Sequence, residues 1–404
     1  MSEAPIDFVT WKCETVKRLG RLSAPVAKMV AQYSYGMAKA RTAGRTTVSV
    51  LLGMLFAEPA ATVEQRIYDW MRSGLGEGEK PNWQVASCFG PLLGWIVSLW
   101  QGRQIALALD ATTLSDVFLI LTISVVYRGV GLPVAWKILP ANRKGRWKPE
   151  WLNLIAALKG WIPESWKVLV LTDRGLYAHW LFHAIVDAGW HPFMRVNGNG
   201  CFQPDAEYST MLGPCQFLSD LVRERDKPRV ASGVAFSKRK QLRCNVLTFW
   251  GQHHRDPWIV LTDLPLQQAD INCYALRAWC EQGFKCIKRG LLQWHYTRVK
   301  DPARAERVWL AIAVAMLWLA GIGTHVEDTD PSIALTKFDP KPNPTPAAVP
   351  SIPKCYRAIR ILRLGFLKLL ADLERNVRLV VPTYLCPEPW PTPALSPLPP
   401  PIPP

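Results

Sequence analysis

Acid is what this sequence is short of. Its 404 residues carry 32 Asp and Glu against 48 Lys and Arg, a formal charge of +16. That deficit excludes an acidic, solvating chain. A hydrophobic content of 49% excludes disorder for want of a core. The charge points to a polyanionic partner, nucleic acid first and an anionic membrane surface second, with a merely basic protein as the plain alternative. The length suggests two or three structural units.

Other absences narrow the class. The ten cysteines form no C-x-x-C pair, so no zinc ribbon is expected, and they read as reduced, mostly buried thiols of a cytosolic protein. No apolar core follows a basic start at the N-terminus, so no secretory peptide is expected. The most apolar run, residues 308–323, is shorter than the ~20 residues that span a bilayer and reads as a buried core helix. No G-x-x-x-x-G-K-[ST] occurs, so no nucleotide hydrolysis is implied, and Gly198-Asn-Gly200 is a turn without the rest of a dinucleotide fingerprint. His179 and His183 stand four apart on a helix but lack a nearby Cys or an H-E-x-x-H glutamate, and read as core or surface histidines. Trp is abundant, at 19; most are expected in the core, with a few available to stack on bases.

Apolar spacing predicts helices over residues 24–37, 47–56 and 62–72, and the first hundred residues read as helical throughout. Their punctuating Lys and Arg fit a DNA-end-binding module or, equally, solvated helix faces. Residues 105–109, 117–127 and 132–139 are β-branched, apolar and joined by short turns, which predicts an antiparallel meander. A helix over 150–159, a strand over 167–172 buried on both faces, a helix over 177–188 and a strand over 192–196 follow. Three antiparallel strands followed by αβαβ is the order of a ribonuclease-H-like α/β core. Residues 197–265 read as a β-rich insertion, and a long helix over 267–289 and another over 303–319 close a catalytic domain spanning 101–325. Residues 326–353 read as a linker. A basic amphipathic helix within 356–380 makes 354–386 a helical C-terminal region open to dimerisation or DNA contact. The ten prolines of residues 387–404 predict an extended tail.

Asp110 in ALALDATT and Asp173 in VLVLTDRG both follow apolar strands. Strand ends in open α/β sheets are where ligand sites form; the alternative for each aspartate alone is a turn or a helix cap. A third acid lies in Tyr274-x2-Arg277-x3-Glu281-x6-Lys288. If the segment is one α-helix, ~100° per residue places Arg277, Glu281 and Lys288 within roughly 60° of Tyr274, and Lys285 on the same stripe. One helix face then carries an acid, a phenol and three cations, either bordering a packed site or facing solvent.

That Y-x2-R-x3-E-x6-K spacing resembles the signature of bacterial insertion-sequence DDE transposases of the insertion-sequence-four type, over about residues 100–325. The element order and the T-D-R-G context of Asp173 add to the resemblance. The gap from Asp173 to Glu281 is far longer than one helix crossover needs, and the resembled family carries a β insertion there. The resemblance implies a metal-dependent DNA transposase that cleaves transposon ends and transfers the 3′-hydroxyl to target DNA. It implies catalysis by Asp110, Asp173 and Glu281, which would hold two Mg²⁺ or Mn²⁺ ions. It also implies double-stranded DNA as partner, a homodimer in the synaptic complex, no membrane, and a cytoplasmic, nucleoid-associated location. Tyr274, Arg277 and Lys288, with Lys285 beside them, would contact phosphates. Trp258, in a W-x-x-L-T-x-x-P stretch, would stack on a flipped base or else be a core strand residue. Lys238, Arg239 and Lys240 in the insertion, and Arg143, Lys144, Arg146 and Lys148 after the third strand, could follow DNA backbone or be solvated loops. A non-catalytic, domesticated DNA-binding protein and a plain nuclease without strand transfer are the alternatives.

Overall fold

The computed structural model describes residues 6–73, 83–141, 147–212, 215–222, 224–236, 240–252, 254–330, 359–375, 377 and 381–390. The architecture is mixed α/β. It divides into two compact units, the first drawn from residues 1–167, 278–345 and 353–388, the second chiefly from 168–277.

The first unit opens with helices α1 (Ile6–Arg18), α2 (Ala24–Ala40), α3 (Arg45–Phe56), α4 (Ala60–Arg72) and α5 (Phe89–Leu99). Proline sits at the start of α2, where its missing N–H costs nothing. In α4 the buried residues are Val63, Ile67, Trp70 and Met71, one apolar stripe at helical spacing. The predicted meander follows as β1 (Gln104–Leu114), β2 (Phe118–Tyr127) and β3 (Val130–Pro140), antiparallel throughout. Every residue of β2 is buried, as befits the central strand. Strand β1 does not end at Asp110 as the sequence suggested. It continues through Thr112 and Thr113, β-branched residues paired with Ile120 and Leu119. Helix α6 (Lys148–Leu158) then packs on β2 and β3.

The second unit begins with β4 (Lys167–Thr172), α7 (His179–Asp187) and β5 (His191–Arg195), with β4 and β5 parallel. Within residues 197–265 lie β6 (Cys201–Pro204), α8 (Ala206–Leu212), β7 (Gln216–Phe217), β8 (Arg229–Ala235), β9 (Leu242–Phe249) and β10 (Trp258–Thr262). These strands extend the β4–β5 sheet, because β10 pairs antiparallel with β5; the order is β4-β5-β10-β9-β8-β6-β7.

The predicted long helix over 267–289 is not one helix. Residues Leu266–Gln268 and Ile271–Arg277 form 3₁₀ turns, and α-helical geometry starts only with α9 (Ala278–Lys288). Asp270 accepts a hydrogen bond from the Asn272 amide at 2.7 Å, a local turn that competes with helix.

Back in the first unit, α10 (Pro302–Thr329) is longer than predicted and takes in the first residues assigned to the linker. It is long and apolar enough to cross a membrane, but 94% of its most apolar window is buried within the protein, the pattern of a core helix. Trp318 stacks on Trp11 with ring centroids 4.4 Å apart. Helix α11 (Ile361–Glu374) is shorter than the expected 356–380. The proposed linker beyond residue 330 and the tail beyond 390 lie outside the described residues. Just before the tail, Leu385 pairs with Trp100 and Arg128 donates to the Cys386 carbonyl at 2.7 Å.

Helices α10 and α11 cross on glycines. A Cβ on Gly365 would collide with the Leu319 carbonyl, and one on Gly323 with the Ile361 carbonyl. Gly365→Val is therefore expected to force the helices apart at a cost of about 3 kcal/mol, read as a lower urea midpoint at unchanged m value.

Arg307 on α10 is 2% exposed. Its guanidinium donates to the carbonyls of Trp70, Met71 and Trp83, and lies 4.4 Å from the Trp83 ring centroid. Burial pushes its pKa down to about 10, so it stays charged at neutral pH.

Candidate active site

In the first unit the site is built on β1 and α9. Asp110 is 6% exposed. In a strand, positions two apart share a face, so Thr112 stands beside it. The Lys288 ammonium donates to Thr112 Oγ1 at 2.8 Å. Desolvation pulls the Lys288 pKa down, and the nearby Asp110 charge opposes that shift. This lysine therefore faces the Asp110 side of β1.

Helix α9 sorts its residues cleanly. Cys280, Gly283, Phe284 and Ile287 are buried, while Glu281 and Lys285 are exposed and Lys288 is half-buried. Gly283 sits so close to the start of β3 that a Cβ there would meet the Gly131 carbonyl. Glu281 and Lys288, seven residues apart, lie on one face with about 10 Å of axial rise between them.

In the second unit Asp173 directly follows β4. Its Oδ1 accepts from the Gly175 and Leu176 amides at 3.0 and 3.1 Å, and its Oδ2 accepts from Arg277 Nη2 at 3.4 Å. The aspartate thus shapes its own turn and also faces a guanidinium. Arg277 is itself 8% exposed.

Tyr274 and Arg277 belong to the 3₁₀ segment, not to α9. Three residues make one full 3₁₀ turn, so the two still share a face. The Tyr274 hydroxyl donates to the Thr172 carbonyl at 3.2 Å, which ties this segment to the residue before Asp173. Burial pushes the phenol pKa up to about 12, against the charges of Arg195 and Arg277.

Arg195 escaped the sequence reading. Parallel pairing of Thr172 with Met194 brings the C-terminal end of β5, and hence Arg195, level with the end of β4. Arg195 donates to the Pro257 carbonyl at 3.0 Å. Its Nε is buried with no hydrogen-bond partner among the described residues. The signal was available in principle, since ligands gather at the carboxyl ends of parallel strands.

Residues 143–318 match the family model described as the transposase DDE domain. This supports a DDE transposase, a family that acts on DNA by nuclease and transposition chemistry. No curated protein matches the chain. The matched stretch contains Asp173, Tyr274, Arg277, Glu281 and Lys288, and begins after Asp110.

Trp258 begins β10 half-buried, with His254 stacked on it at 4.4 Å and Tyr274 edge-on at 5.1 Å. Lys240 is exposed, whereas Lys238, Arg239, Arg143, Lys144 and Arg146 lie outside the described residues.

DDE transposases use divalent metal ions. Among the described residues, no group of three or more His, Cys, Asp or Glu gathers as a metal centre. The expected ligands Asp110, Asp173 and Glu281 are all carboxylates, hard oxygen donors that fit Mg²⁺ or Mn²⁺ rather than zinc or copper.

Proposed function

We propose that this protein is a cut-and-paste transposase of the insertion-sequence-four type, with a ribonuclease-H-like core. Asp110, Asp173 and Glu281 are its catalytic acids and the ligands of two divalent ions. When bound, such ions lower the pKa of water and neutralise charge on the attacking and leaving oxygens. Water hydrolyses the phosphodiester at the transposon end and leaves a 3′-hydroxyl. That hydroxyl then attacks a target phosphodiester, forming one P–O bond as another breaks and releasing a target 3′-oxygen.

The protein's own groups position the DNA. Arg277 and Arg195 hold phosphate oxygens by charge-assisted hydrogen bonds beside Asp173. Tyr274 fixes the end of β4, and Lys288 supports the Asp110 side of β1. Lys285, Lys238, Arg239 and Lys240 follow the backbone, and Trp258 can stack on a base where His254 yields its face. The N-terminal helices bind the transposon ends, and the C-terminal helical region serves a homodimer. The reading includes a cytoplasmic, nucleoid-associated protein with no membrane partner.

The observation that carries this reading is the transposase-domain match over a stretch holding Asp173 against Arg277 and the α9 helix with Glu281 and Lys288. The test is cleavage and joining of a labelled duplex bearing the element's own ends, with Mg²⁺, with EDTA, and with Asp173→Ala. Metal-dependent 3′-end cleavage and joining, both lost in the variant, is the expected result. Cleavage without joining would make the protein a nuclease; specific binding without chemistry would make it a non-catalytic binder. Separately, Lys285→Ala is expected to weaken end binding and to reduce the slope of log K against log salt by about 1, as loss of one phosphate contact does.

A further inference from the structure

The histidine pair, unassuming in sequence, becomes specific in three dimensions. His179 and His183 lie one turn apart on α7, with ring centroids 4.4 Å apart. Their Nε2 atoms face each other at 3.3 Å, and the Gln241 carbonyl oxygen lies 3.3 Å from His179 Nε2. Gln241 is the residue immediately before β9, so the cluster joins α7 to the chain entering that strand. All three residues belong to the second unit.

The separation matters. An ion with metal–nitrogen bonds of about 2.05 Å and tetrahedral angles needs ~3.3 Å between two of its nitrogens. Histidines four apart on one helix face are a recognised metal-binding spacing. The pair meets both conditions. The competing account is a hydrogen bond between two neutral imidazoles, in which one Nε2 carries a proton and the other accepts it. That account also fits 3.3 Å, so binding must decide between them.

We propose that His179 and His183 form a two-histidine site for a late first-row divalent ion such as Ni²⁺, Zn²⁺ or Cu²⁺. The Gln241 carbonyl supplies a nearby oxygen, and water completes the coordination. Imidazole nitrogens favour these ions over Mg²⁺, whereas the carboxylates of the proposed catalytic centre have the opposite preference. The two sites therefore differ in the metal they take. Occupancy would clamp α7 to the segment entering β9, next to Lys240. The inference does not depend on the transposase reading.

The test is calorimetric titration of the tag-free full-length chain with NiCl₂ in the presence of excess Mg²⁺, which occupies carboxylate sites. His179→Ala and His183→Ala are compared with His191→Ala, a histidine paired instead with Asp263. Circular dichroism verifies that each variant is folded. The expected result is one Ni²⁺ per chain, with affinity reduced at least ~10-fold in both site variants and unchanged in the control. A Cu²⁺ spectrum showing two nitrogen ligands in the wild type and fewer in either site variant is the second expected readout. No saturable binding to the wild type, or wild-type affinity in either site variant, would overturn the proposal.

Discussion

Glu281→Gln is expected to reduce strand cleavage by ~10³-fold or more while leaving DNA binding intact. The change keeps the size of the side chain and removes its charge. If Glu281 is a metal ligand, the loss falls on charge neutralisation in the transition state, and ~10³-fold corresponds to about 4 kcal/mol. Little of the effect should come from folding. Glu281 is exposed, and α9 is held by the buried Cys280, Phe284 and Ile287 on its other face. Exposed substitutions of this kind usually change stability by no more than about 0.5 kcal/mol. Single-turnover cleavage with a labelled end and a mobility-shift assay on the same duplex separate the two effects. Cleavage within tenfold of the wild type would remove Glu281 from the catalytic set.

The largest stability effect is expected at Arg307. Arg307→Met retains much of the side chain's length but removes the donors that satisfy the carbonyls of Trp70, Met71 and Trp83. Hydrogen bonds to a charged group contribute about 1.5–3 kcal/mol each, and buried carbonyls left without partners carry a further penalty. The packing of the guanidinium on Trp83 is lost as well. A destabilisation of at least about 3 kcal/mol follows, visible as a lower denaturation midpoint. Because the residue holds the end of α4 and the neighbourhood of Trp83, their amides should lose hydrogen-exchange protection first. An unchanged midpoint would mean that water replaces the guanidinium without cost.

Much of the fold was legible because its signals are local. The strands β1 to β4 announce themselves by apolar runs with β-branched residues, and α2 to α4 by apolar spacing. The misplacement of Asp110 has a simple cause: two threonines beyond it look polar in sequence yet are good strand residues.

The single-helix reading of 267–289 failed for a different reason. It applied 100° per residue across a segment that Asp270 turns into 3₁₀ geometry, so Tyr274 and Arg277 could not be placed relative to Lys285 and Lys288 by that arithmetic. Arg195 carried only a general hint, its position at the end of a predicted strand. Its place depends on which strand pairs with β4, a long-range fact that no local pattern carries. The histidine pair is similar: sequence supplied the spacing, and only side-chain geometry supplied the facing nitrogens.

The first unit's discontinuity also sets an order of events during synthesis. Strands β1 to β3 are complete by residue 140, but α10, which packs on β3 and on α2, begins only at Pro302. The intervening chain includes the whole contiguous stretch 168–277 of the second unit. At ~5–20 residues per second, the ribosome needs on the order of ten seconds to deliver α10. For that interval the nascent meander lacks the apolar helix that finally covers it. Chaperone dependence during translation should therefore concentrate on the earlier part of the chain.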